Sequence, residues 1–151
     1  MAKAAFGAGC FWHVQEEFDK LKGVIKTEVG YMGGDFKNPT YKDVCSDATG
    51  HAEIVLAEYD EKKISFKELL DVFWKMHNPT TKNRQGLDVG SQYRSIILYY
   101  TEKQKKEAAE SRKNEQKNFK NKIVTEIKKA GKFYRAEEYH QHYLKNKRSR
   151  F

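Results

Sequence analysis

Strand-like and helix-like segments alternate along this chain in one short order, and that order limits the folds open to it. "KAAFGAG" (3–9) is a short strand of small residues, and "FWHVQEEFDKL" (11–21) sets Phe11, Val14, Phe18 and Leu21 on one helical stripe. "GVIKTEVGYMGG" (23–34) alternates Val24, Lys26 and Glu28 against Ile25, Thr27 and Val29, which predicts a strand. "HAEIVLAEYD" (51–60) is a further strand. "SFKELLDVFWKMH" (65–77) is an amphipathic helix with Phe66, Leu69, Leu70, Phe73 and Met76 on one face and a Ser65/Glu68 capping box at its start. "RSIILYY" (94–100) closes the series as a strand. The order β-α-β-β-α-β predicts an α+β fold: a two-layer α/β sandwich with a ferredoxin-like βαββαβ core. A polar helix over 102–120, a last strand at "KIVTEI" (122–127) and a short helix at "AEEYHQHYL" (136–144) follow as C-terminal additions.

The length of 151 residues, without an internal repeat or a Pro/Ser linker, predicts a single domain over 1–151. No apolar run reaches the roughly 18 residues of a membrane span, and the N-terminus lacks the apolar stretch of a signal peptide. The expectation is a cytoplasmic protein without a membrane partner. Two cysteines are too few for a disulfide framework; in a reducing compartment they are free, metal-bound or catalytic. Residues 1–100 carry 13 Lys/Arg and 14 Asp/Glu, whereas residues 101–151 carry 16 and 7, so the net charge of +8 lies wholly in the last third. No nucleic-acid motif accompanies that charge, and it reads as a solvated helix and tail without a nucleic-acid partner. Nothing in the apolar pattern calls for an oligomer, and a monomer is expected.

Cys10 falls where the first strand gives way to the first helix. The free N–H groups and the positive end of the helix dipole favour a thiolate there. A buried structural cysteine is the other reading of the position. The long segments 34–50 and 78–93 are polar and rich in Gly, Asn, Asp and Thr, as functional loops often are. The stretches 38–55, 77–95 and 133–144, which take in most of those loops and the C-terminal segment, supply Tyr41, Cys45, His51, Glu53, Asp88, Gln92, Tyr93, Arg94, Glu138, Tyr139 and His140 at the ends of predicted elements. Glu53 opens an apolar strand; enclosed, its carboxyl would stay protonated near neutrality, whereas at an exposed strand start it would be an ordinary surface glutamate. Cys10, His13, Cys45 and His51 could ligate zinc, but their spacing is not a zinc signature.

The motifs "GAGCFW", "VGYMGG", "YKDVCSDATGHAE", "HNPTTKNRQG", "DVGSQYRS" and "AEEYHQHYL", in that order over about residues 5–144, resemble the motif series of the peptide-methionine (S)-S-oxide reductases, the A-type methionine sulfoxide reductases. The resemblance implies no cofactor and no metal, and a substrate that is methionine sulfoxide, free or in oxidised proteins. It implies that Cys10 is the nucleophile, that Glu53 is the proton donor, and that Tyr41 and Tyr93 hydrogen-bond the sulfoxide oxygen. It further implies that Phe11 and Trp12 wall a pocket for the substrate methyl group and that Asp88 binds substrate or water. Phe11 also fits the apolar stripe of its helix as a core residue.

The product on Cys10 would be a sulfenic acid, to be reset by a thiol. Many family members carry resolving cysteines near the C-terminus; this chain has none after Cys45. Cys45 is a candidate resolving residue only if its Cα comes within about 7 Å of that of Cys10. Otherwise thioredoxin, glutaredoxin or a small thiol must attack from outside, and this external route is the expected one. Asn78 and Leu87 stand where the family pattern has Asp and Asn, and Leu87 makes the second long loop less polar.

Overall fold

A computed structural model describes residues 1–149. Its central sheet is built from β1 (Ala2–Gly7), β2 (Val24–Met32), β3 (Ala52–Tyr59), β6 (Ile96–Tyr99), β7 (Glu126–Lys129) and β8 (Tyr134–Arg135), and a separate hairpin from β4 (Arg84–Gln85) and β5 (Asp88–Val89). The helices are α1 (Phe11–Asp19), α2 (Tyr41–Cys45), α3 (Phe66–Lys75), α4 (Glu102–Glu115) and α5 (Tyr143–Ser149). The strand order is β7-β6-β1-β3-β2-β8, and the inner four follow the ferredoxin-like order, each antiparallel to its neighbour. β7 joins β6 in parallel after the α4 crossover, and β8 flanks β2. Among the described residues, no helix is long and apolar enough to cross a membrane.

The main core lies between the sheet and the helices. Phe6 of β1 packs its ring on Phe18 of α1 and on Phe66 and Phe73 of α3, with centroids 5.1, 6.0 and 5.3 Å away. The predicted stripes are the buried ones: Phe11, Val14 and Phe18 on α1, and Phe66, Leu69, Leu70 and Phe73 on α3. The Ser65/Glu68 capping box starts α3 as expected. A smaller cluster of Ala5, Met32, Ala52, Ile54, Ile96 and Leu98 lies on the opposite face of the sheet, under Ala130 and Phe133. Burial on both faces is why β3 reads as a nearly continuous apolar run.

Several elements depart from the sequence reading. A register shift between Val24 and Lys26 expels Ile25, which is exposed, while Thr27 and Val29 point inward. The strand predicted at 122–127 is β7 and begins four residues later. Ile123 and Thr125 are buried in an extended link whose Val124 N–H bonds the Pro79 carbonyl, and pairing with β6 starts at Glu126. The predicted helix over 136–144 is a 3-10 turn at Glu138–His140 followed by α5. Gln141 prevents helix there: its side-chain amide accepts from the Val29 N–H and donates to the Val29 carbonyl, both at 2.9 Å, as a strand residue would. His142 at φ +51 then turns the chain into α5. The segment 34–50, read as a loop, holds α2, started by a Thr40/Asp43 capping box.

Antiparallel pairing brings the end of β1, the end of β2, the start of β3 and the start of β6 to one edge of the sheet. The segments that carry Cys10, Tyr31, Glu53 and Tyr93 meet there.

Candidate active site

Cys10 is the N-cap of α1 and a free, half-buried thiol. Gly9, just before it, holds φ +99, and a β-carbon on it would lie 3.1 Å from the Gln85 side chain. The β4–β5 hairpin is thereby seated against the Cys10 segment. The backbone N–H groups of Trp12 and His13 do favour the thiolate, as the helix start predicts. They are outweighed. Burial, first, and then the negative charges of Glu53 and Asp88 push the thiol up to about 12. The sequence expectation of a thiolate-favouring site is therefore corrected: with Glu53 charged, Cys10 rests as a thiol.

Glu53, second residue of β3, is 1% exposed. Its Oε1 accepts the Phe11 N–H at 3.2 Å, and its Oε2 has no partner. Burial pushes the carboxyl up to about 8; the Phe11 hydrogen bond opposes the shift and Asp88 adds to it. At neutral pH Glu53 is thus mainly a neutral acid, and of the two sequence readings the enclosed one holds. Its neutral form also removes one of the charges that raise Cys10.

Two phenols adjoin this pair. Tyr41 begins α2, and its hydroxyl hydrogen-bonds Cys45, one turn later on the same helix. Its backbone N–H donates to Glu137 Oε2 at 3.1 Å, and burial pushes its phenol up. Tyr93 ends the 3-10 turn Ser91–Tyr93. Burial, then the charges of Glu53, Cys45, Asp88 and Cys10, push it up to about 12. Both phenols are therefore proton-bearing donors at neutral pH. Asp88 is exposed on β5, where it pairs with Gln85 across the hairpin, and its charge bears on Cys10, Glu53 and Tyr93. Cys45 is exposed and free.

Phe11 and Trp12 occupy different depths. Phe11 has no exposed surface; its ring lies 5.8 Å from Tyr31, 6.4 Å from Tyr41 and 5.3 Å from His140. It backs the site from within. Trp12 is half-buried, donates its indole N–H to His140 Nδ1 at 3.0 Å, and stacks on Tyr143 at 3.9 Å.

Sequence reasoning missed Glu137 and Tyr31. Glu137 accepts the Tyr31 hydroxyl at 3.2 Å and the Tyr41 N–H, which ties the C-terminal segment to β2 and α2. The paired glutamates of "AEEYH" are the one trace of this in the sequence; the second, Glu138, is exposed and binds Arg135 at 2.8 Å. His51 is not placed as a metal ligand, because both ring nitrogens are engaged, one by the Gly34 N–H at 3.0 Å and one by the Phe36 carbonyl at 2.6 Å. Among the described residues, no three His, Cys, Asp or Glu side chains group to hold a metal ion.

A half-buried thiol, a buried carboxyl held neutral and two protonated phenols, with the buried Phe11 ring behind them, could serve attack on a neutral, polar oxide whose oxygen must leave as it gains protons. The family model for peptide methionine sulfoxide reductase matches residues 2–151. The chain is 56% identical over 151 residues to peptide methionine sulfoxide reductase MsrA of Methanothermobacter thermautotrophicus, covering 98% of this chain and 89% of that protein. It is 60% identical over 141 residues to a Brassica napus peptide methionine sulfoxide reductase, covering 93% of this chain and 55% of the plant protein, so it spans about half of the latter. Its fold is similar to that of reduced Mxr1 from Saccharomyces cerevisiae, with a TM-score of 0.92, 36% identity and coverage of 96% and 84%. It is also similar to Mxr1 solved in complex with Trx2, with a TM-score of 0.68, 25% identity and coverage of 94% and 84%.

Proposed function

The chain belongs to the peptide methionine sulfoxide reductase family, enzymes that reduce methionine sulfoxide, and we propose that it acts on the S epimer through a sulfenic acid on Cys10. The observation that carries this reading is the buried Glu53, its Oε2 unpartnered, beside the N-terminus of α1 that Cys10 caps.

The sulfur of Cys10 attacks the sulfoxide sulfur. Glu53 delivers its proton to the sulfoxide oxygen and regains one from the Cys10 thiol. The oxygen moves to the cysteine sulfur as the S–O bond to the substrate breaks. Thiol plus sulfoxide becomes sulfenic acid plus thioether, with no net gain or loss of protons. Tyr41 and Tyr93 donate hydrogen bonds to the oxygen as charge gathers on it. The substrate methyl lies against Trp12, backed by Phe11, through apolar and sulfur–aromatic contact. With the methyl on that wall and the oxygen toward Glu53, a chiral sulfoxide fits in one hand only. Asp88 binds the polar part of the substrate or ordered water at the rim.

One external thiol then attacks the sulfenic sulfur and releases water, and a second thiol frees Cys10 from the mixed disulfide. A thioredoxin-type reductant is supported by the solved complex of Mxr1 with Trx2. Glutaredoxin and small thiols have the same chemistry. Cys45 is the alternative resolving group; its thiol reaches the hydroxyl of Tyr41, a proposed oxygen donor.

The test is a single turnover. Fully reduced protein is mixed with excess methionine S-sulfoxide without a reductant, and methionine and intact mass are read. Methionine with a gain of one oxygen on Cys10, trapped by dimedone, fits an external reductant. Methionine with a loss of two hydrogens assigns resolution to Cys45. The absence of methionine refutes the reading.

A further inference from the structure

Resting on the reductase reading, we propose that Leu87 is a specificity-determining residue that makes the site favour methionine sulfoxide flanked by apolar side chains over the same sulfoxide without them. Leu87 is 101% exposed. It is the second residue of the two-residue turn between β4 and β5, after Gly86 at φ +58. Hairpin turns of this kind favour Gly, Asn, Asp or Ser, and a leucine adds nothing to the turn. It adds nothing to the core either, because none of its surface is covered.

Its place gives it a use. Leu87 directly precedes Asp88, whose charge reaches Cys10, Glu53 and Tyr93. The strand opposite Asp88 carries Gln85, which packs against Gly9 beside Cys10. The hairpin is thus anchored at the reacting groups while its apolar tip stands in solvent. A second exposed apolar surface lies on the Tyr41 side of the site. Tyr139 is 61% exposed and its ring lies, tilted, 4.0 Å from that of His140, whose ring in turn lies 4.3 Å from Tyr41.

The substrate has matching chemistry. Methionine is mostly a core residue, and oxidation makes its side chain polar and disrupts that core. A segment so expelled presents its sulfoxide together with the apolar side chains that once packed around it. The sulfoxide enters beside Cys10, and a flanking apolar side chain meets Leu87.

The test compares kcat/KM for N-acetylmethionine S-sulfoxide and for two pentapeptides with the sulfoxide at the centre, one flanked by glycines and one by leucines. Dithiothreitol serves as reductant, so no protein reductant competes for the surface. The wild type is expected to favour the leucine-flanked peptide by about five- to thirty-fold, the worth of burying one exposed leucine against an apolar side chain. Leu87→Asn brings that ratio near one and leaves the N-acetylmethionine sulfoxide value unchanged, while Leu87→Met keeps the ratio. An equal ratio in wild type and Leu87→Asn, or no preference in wild type, overturns the proposal. A raised KM for thioredoxin in Leu87→Asn with an unchanged peptide ratio gives the tip to the reductant and also overturns it. A wild type inactive on N-acetylmethionine S-sulfoxide refutes the reductase reading itself, a failure distinct from equal rates on the two peptides.

Discussion

Replacing Glu53 by Gln changes one atom and separates the acid from its ionisation. Gln keeps the oxygen that accepts the Phe11 N–H. It cannot carry charge. Glu53 titrates near 8 in the fold against an ordinary 4.5, so folding disfavours its charged form. The folded state then holds the proton over that interval while the unfolded chain has lost it. Stability from this group is therefore full below 4.5 and is lost as pH rises from 4.5 to about 8. The slope is at most about 1.4 kcal/mol per pH unit, or about 3 kcal/mol between pH 5 and 7. For a chain of this size that is about 6–12 °C in melting temperature. Urea unfolding of wild type and Glu53→Gln at pH 5, 6 and 7, with thiols kept reduced, reads the difference directly, since every other titration is common to both. The variant should gain on the wild type by that amount as pH rises. A difference that stays flat from pH 5 to 7 would mean that Glu53 is ionised throughout, and its role as proton donor would fail. In the same samples, single-turnover methionine formation by wild type should fall above pH 8, and that of Glu53→Gln should be lower by about 10²- to 10⁴-fold at neutrality.

Three further perturbations test the site and its frame. Cys10, pushed up first by burial, should react with iodoacetamide at pH 7 about ten-fold more slowly than glutathione, after the higher intrinsic nucleophilicity of a more basic thiolate is counted; peptide mapping of the alkylated protein gives the rate, and an equal or faster rate contradicts the burial argument. Tyr41→Phe and Tyr93→Phe should each lower kcat/KM by about 10- to 1,000-fold through a lost donor to the oxygen, with little change in urea midpoint; wild-type kinetics in both variants would remove the phenols from the mechanism. Gln141→Leu leaves the Val29 N–H, the Val29 carbonyl and the Ala136 carbonyl without their amide partner, and should cost about 2–4 kcal/mol in urea unfolding.

The helical stripes and the capping box of α3 were legible in the sequence because helical periodicity and capping are local. The order of the inner four strands followed from the alternation of elements. What escaped depended on pairing between distant residues. Ile25 belongs to the apolar alternation of its strand, and only the register shift against β3 turns it outward. "AEEYHQHYL" has the composition of a helix, yet Gln141 uses its amide to extend β2. Five residues are too few for periodicity to mark α2, although Thr40 and Asp43 do carry its cap. At the site, Cys10 and Glu53 stood out by position, and Glu53 proved as enclosed as its catalytic reading needs. The ionisation of Cys10 was misjudged because a helix start is visible in sequence, whereas burial beside a second carboxyl 43 positions away is not. Glu137 was missed for the same reason: its partners, Tyr31 and Tyr41, lie about a hundred positions earlier.

The high resting value of Cys10 has a consequence for survival under stress. Peroxide attacks thiolates, and the damage climbs from sulfenic to irreversible sulfinic and sulfonic acids. An enzyme that mends oxidised methionine works when peroxide is most abundant, and an open, ionised cysteine would be among the first casualties. On the proposed mechanism, with the proton retained on its half-buried sulfur until a sulfoxide arrives, Cys10 is a poor target for the oxidant and still reacts with the oxidised product. The burial that keeps Glu53 protonated thereby also keeps the Cys10 thiol protonated between turnovers.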